Sequence, residues 1–114
     1  MRTLSLRSSY SVTLDSNGNG TVQAGPSSPG EQWQLSIASV SVSSNTNEAQ
    51  CKVYIGSDTT QANYADGTLS GSTGDSTDRV SYPLNPGQSV WAVWTGGDPG
   101  STATLVLQGE RTLP

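Results

Sequence analysis

The chain has 114 residues, 32% of them hydrophobic and 12% charged, and a formal net charge of −4. This length fits one domain, and the low charge sets it apart from a self-repelling disordered tail. No two of the five cations (Arg2, Arg7, Lys52, Arg79, Arg111) are neighbours. The cation cluster that nucleic acid or an anionic membrane requires is therefore missing, and neither is expected as a partner.

Nineteen serines, 13 threonines and 13 glycines surround scattered Val, Leu, Ile and Trp. Apolar residues never keep a 3.6-residue period over ten or more positions, whereas alternation of period two recurs. The segment "MRTLSLRSS", 1–9, reads as an N-terminal arm or an extra strand ahead of a single domain over 10–114. "YSVTL", 10–14, puts Tyr10, Val12 and Leu14 on one face, and "TVQA", 21–24, does the same for Val22 and Ala24. With "DSNGNG" between them, the two read as a hairpin.

That linker raises the question of a metal, because Asp15, Asn17, Asn19 and Gly20 match the opening half of a calcium loop. The position that should supply a bidentate Glu is Pro26, and the flanks are strand-like rather than helical. A turn is the better reading, with the Asn-Gly pairs supplying positive φ. Asn19-Gly20-Thr21 also matches a glycosylation acceptor, which carries little weight without a secretion signal.

"GPSSPG", 25–30, is a loop. "QWQLSIASVSV", 32–42, is the longest strand signal. Trp33, Leu35 and Ile37 alternate, and then Val40 and Val42 continue in the opposite phase, which predicts a β-bulge near Ala38–Ser39. After the turn "SSNTNE", Cys51, Val53 and Ile55 alternate inward, with Lys52 and Tyr54 on the other face. Residues 56–78 are polar, with one short strand expected at "GTLSG"; a loop of that length should pair in part or serve a purpose. "RVSYPL", "SVWAVWT" (89–95) and "TATLVLQG" (102–109) complete a set of seven to nine short strands. The expected fold class is all-β, an antiparallel β-sandwich or jelly roll.

"SVWAVW" breaks the alternation on the apolar side. Val90, Ala92 and Trp94 point one way, Trp91 and Val93 the other. Either a loop covers the second face of a central strand, or another subunit does. The three Trp and four Tyr, with no Phe, all carry a polar tip that suits partly wet boundaries. A chain this short, with few apolar residues, also gains from mutual burial. The interface residues expected on these grounds are Trp91, Val93, Trp94, Trp33 and Tyr82. The expected partner is further copies of the chain, with a homotrimer as the first choice.

No enzyme chemistry stands out, so the chain is expected to be non-enzymatic and without cofactor or metal. It has no histidine to act as base or ligand, one cysteine, no G-x-S-x-G and no phosphate loop. Cys51 reads as a small buried hydrophobe. Asp58, Asp66, Asp75, Asp78 and Asp98 are expected mostly in turns that bond their own backbone. A calcium site in "GDSTD" is the less favoured alternative, as is a glycosidase carboxylate pair without a sugar-stacking cluster beside it. No signal peptide or membrane-length apolar run is seen, so the chain is expected to fold in a cytoplasm.

Three blocks taken together carry a resemblance. "VTLDSNGNGTVQAGP", "GSTGDSTDRV" and "VWAVWTGGDPGSTATL" span about residues 12 to 107 and resemble small proteins of actinobacterial tailed phages and prophages. The resemblance implies a virion protein assembled in the bacterial cytoplasm, on the capsid or the tail, and supplies no catalytic residues. A capsid decoration protein that binds the major capsid protein and steadies the outer shell is the first expectation. A tail or fibre module that binds host glycan through its loops and Tyr54, Tyr64 or Tyr82 is the second, and a stand-alone binding sandwich the third.

Overall fold

A computed structural model of the protein describes residues 2–26, 29–43, 46–47, 49–60, 63–70 and 75–114, with side chains throughout these except at 37, 65–70 and 75–82. Its strands in chain order are β1 (Arg2–Thr13), β2 (Gly20–Ala24), β3 (Gln32–Val42), β4 (Ala49–Gly56), β5 (Tyr64–Ser70), β6 (Asp75–Leu84), β7 (Ser89–Thr95) and β8 (Thr102–Leu113).

The strands form two four-stranded antiparallel sheets, β1-β8-β3-β6 and β2-β7-β4-β5. Strand 1 pairs with 8, 2 with 7, 3 with 6 and 4 with 5. This nesting is what results when one long hairpin is rolled up, and it is the order of an eight-stranded jelly roll. Twelve-residue strands at about 3.4 Å per residue span roughly 40 Å, in keeping with a long axis of 47 Å.

The core lies between the sheets and is built by alternation. Leu35, Leu105 and Leu107 come from the first sheet and Val90, Ala92, Trp94 and Cys51 from the second, all with no exposed surface. Full burial of each leucine contributes about 1.5–3 kcal/mol. Tyr10 and Val12 pack against this cluster from β1 but stay half-buried, because β1 is an edge.

The structure departs from the sequence expectations at several points. Residues 2–9 continue without a break into 10–13, so β1 begins eight residues before the expected strand. Strands β1 and β2 lie in different sheets and are not a hairpin; "DSNGNG" carries the chain across the sandwich. Only Gly18 of that linker has positive φ (77°), and Asn17 and Asn19 do not. The predicted bulge is real but sits at Ser36, where the register slips between Leu35 and Ile37 against both neighbours of β3. The inward series after the slip is therefore Ala38, Val40 and Val42. Alanine is too small to signal that phase, and Ile37 imitates the old one. The slip also brings backbones close together, since a Cβ on Gly109 would collide with the carbonyl oxygen of Gln34. Asp66 lies within β5, and Asp75 and Asp78 within β6, rather than in turns.

Candidate functional site: the outer face of the second sheet

Two regions outside the core concentrate specific side-chain geometry. The first is the end of the sandwich where three loops meet. Leu14 donates its N–H to Ser101 O (2.8 Å) and accepts from Gly100 N (3.0 Å), and Gly97 N donates to Gly18 O (3.0 Å). Asn19 Oδ1 accepts from Gly96 N at 3.2 Å. Asp98 accepts from the backbone N–H groups of Thr46 (2.8 Å) and Asn47 (2.9 Å). A Cβ on Gly18 would overlap the carbonyl oxygen of Gly97, so glycine is required there by space as well as by φ. This end is a lock that ties the first and third sequence blocks together.

The same loop holds the calcium-like pattern. Asp15 Oδ1 accepts from Asn17 N (2.8 Å) and Asn19 N (3.0 Å). An oxygen facing two N–H donors caps a turn, as an Asx turn does. No group of three or more His, Cys, Asp or Glu side chains comes together among the described residues.

The second region is the outer face of β2-β7-β4-β5. The register aligns Gln23, Trp91 and Tyr54 across three strands, and Tyr54 pairs on with Tyr64 of β5. The next row is Thr21, Val93 and Lys52. Trp91 and Val93 are half-buried, as is Tyr54, while Tyr64 is 41% exposed and is the large hydrophobic most open to solvent among the described residues. The Tyr54 and Tyr64 rings meet edge to face with centroids 5.7 Å apart, a favoured aromatic geometry. Trp91 Nε1 donates to Gly56 O at 3.1 Å, which fixes the indole against the start of the following loop.

That loop is itself ordered by Asp58. Its Oδ1 accepts from Thr60 N (3.1 Å), Thr60 Oγ1 (2.8 Å) and Asn63 Nδ2 (2.8 Å). Hydrogen bonds from the Thr60 backbone, then its hydroxyl, hold the Asp58 carboxyl below its ordinary value, with Asn63 adding to them.

The sequence-predicted interface residues separate into three groups. Trp91 and Val93 lie together on this outer face. Trp94 and Trp33 do not: Trp94 has no exposed surface and Trp33 only 7%, so both belong to the core of the chain itself. Trp33 Nε1 donates to the buried Glu31 Oε2 at 2.8 Å, whereas Trp94 Nε1 has no acceptor among the described residues. Tyr82 sits opposite Leu35 in β6, and its side chain lies outside the described residues. Tyr54 and Tyr64 complete the row. Alternation had placed Tyr54 outward, but only the register between strands shows that it joins Trp91.

Chemically, this face offers aromatic and aliphatic surface with polar tips, and Lys52 is its one charge among the described side chains. Such a surface suits docking by burial and stacking rather than acid–base work. Compared with known proteins, the chain matches no family model and no curated protein.

Proposed function

We propose that the protein is a non-enzymatic structural protein of a phage particle, a decoration protein that binds the outer surface of the capsid shell. The observation that carries this reading is the outward cluster of Trp91, Tyr54 and Tyr64 with the adjacent Val93, on a jelly roll whose other outer face carries mostly hydroxyls among the described side chains. The resemblance of the three sequence blocks to small phage proteins supplies the particle. Jelly rolls serve in viral capsids and in lectins alike, so the fold supports the reading without choosing it. In this role the aromatic row docks on the major capsid protein or a neighbouring copy, and the loop lock keeps the other end closed. A homotrimer is the assembly first expected from the chain's size and composition.

The test is to incubate purified protein with capsids lacking it and to image the particles. Regular added density on the shell is expected, and its loss with Trp91→Ser in a folded protein. A second reading, a tail module that binds host glycan, is favoured by the tyrosine pair of the same face. Labelling at the tail tip, together with binding on a glycan array, would select it instead.

A further inference from the structure

A sandwich of this order has four edge strands, β1 and β6 in one sheet and β2 and β5 in the other. Exposed edges are templates for pairing with another chain, and proteins blunt them with short strands, proline, bulges or charge. Three of the four carry a backbone device of this kind, and the fourth, β1, carries only the charges of Arg2 and Arg7. Strand β2 has five residues, β6 contains Pro83 and faces the register slip of β3, and the pairing of β5 slips between Val53 and Tyr54.

Strand β1 differs. It has twelve residues, no proline and an unbroken register from Arg2↔Leu113 to Thr13↔Thr102. It pairs only with β8, and none of the loop and turn backbone hydrogen bonds among the described residues involves 2–13. Its edge-facing backbone groups thus have no strand partner among the described residues along roughly 40 Å of strand. Its inward side chains Leu4, Tyr10 and Val12 are only half-buried, which is where a further strand would cover them.

We infer that β1 is a self-pairing edge, on which β1 of a second copy adds antiparallel about a two-fold axis at Ser8. Two copies of one strand can always pair this way, and the choice of register decides whether they fit. With Ser8 opposite Ser8 of the second copy, the inward pairs are Leu4 with Val12 and Leu6 with Tyr10. The outward pairs are Thr3 with Thr13, Ser5 with Ser11 and Arg7 with Ser9. Apolar residues meet apolar ones and hydroxyls meet hydroxyls. The neighbouring register, centred on Arg7, would set Arg7 against Arg7, which is destabilising. The product is a continuous eight-stranded sheet across two molecules. It uses none of the aromatic row and so leaves capsid docking untouched, but it puts a two-fold dimer in place of the homotrimer as the chain's own assembly.

The arrangement is tested by sedimentation of the full chain over a concentration series. A species of twice the chain mass is expected; a monomer throughout, or a trimer, overturns the inference. Ser8→Cys is expected to form a reducible cross-linked dimer on mild oxidation, because directly opposed residues lie within disulfide reach. Ser9→Cys is not, since its copies are diagonal to each other. Ser9→Arg sets like charges opposite each other at two symmetric places and is expected to weaken the dimer about tenfold. Combining Ser9→Arg with Arg7→Glu restores it. A dimer that ignores both the cross-link and the charge exchange would be built on another surface and would overturn the assignment to β1.

Discussion

The two outer faces of this sandwich are built on equivalent four-stranded sheets and differ in what they show to water. On the first, β1 presents Thr3, Ser5, Arg7, Ser9, Ser11 and Thr13, and β8 presents Thr102, Thr104, Gln108, Glu110 and Thr112 beside Val106. Hydroxyls bridge neighbouring strands there, Ser11 Oγ to Thr104 Oγ1 at 3.0 Å and Thr3 Oγ1 to Thr112 Oγ1 at 3.4 Å. On the second, Trp91, Val93, Tyr54 and Tyr64 occupy the same kind of position. The fold requires apolar side chains on the inward faces only. A hydroxyl-coated face meets that requirement and stays solvated. The aromatic cluster on the opposite face goes beyond that requirement, and the proposed docking is the role that would account for it.

The largest expected effect lies beneath both faces and serves as their reference. Trp94→Ala should cost about 3–5 kcal/mol, read as a lowered denaturant midpoint, and it should disable every surface at once. Trp94→Phe should cost far less, because the lost Nε1 has no acceptor among the described residues. Next comes the loop lock. Gly18→Ala should cost about 1–2 kcal/mol for its left-handed backbone alone, and more for the overlap with Gly97, measured in the same way.

The substitution that separates the two faces is smaller in stability and larger in binding. Trp91→Ser and Val93→Ser should each leave a cooperatively folded protein and reduce capsid binding by about 2 kcal/mol or more where they sit at the centre of the contact. Ser9→Ala on the opposite sheet should change stability within about 0.5 kcal/mol and leave capsid binding unchanged. Equal effects from the two faces would remove the distinction between them.

The smallest effect is the acid response of the loop beside Trp91. The Asp58 carboxyl is held below its ordinary value of 3.8 in the folded chain. Its ordering contribution is therefore fully present above that value and is lost only as pH falls through the lower folded value. The Thr60 amide resonance should stay constant from neutral pH down to the ordinary carboxylate range and move only below it. Asp58→Asn should abolish that movement.

Much of the fold was legible because alternation is a local property. The strand at 89–95, the inward set Cys51 and Val53, and the existence of a bulge in the third strand all follow from it. Partnering was not legible. "DSNGNG" has the same turn chemistry whether the next strand pairs with the last one or crosses to the other sheet, and here it crosses. The two-faced strand posed a similar problem. Alternation divides Val90, Ala92 and Trp94 from Trp91 and Val93 but does not say which set faces the core. Alternation alone therefore leaves Trp94 and Trp91 as equal interface candidates, although the two rings lie on opposite sides of one sheet. For residues 2–9, serine and arginine on the outward positions of an edge strand leave arm and extra strand both open until β8 is seen beside them.

The most direct test of the docking face is a particle-binding comparison of wild type with the Trp91→Ser, Val93→Ser double variant, both shown to be folded by cooperative unfolding. Capsids lacking the protein should take up the wild type as regular density on the outside of the shell and leave the variant in solution. Full occupancy by the folded variant, or wild-type density at the tail tip alone, would contradict the account.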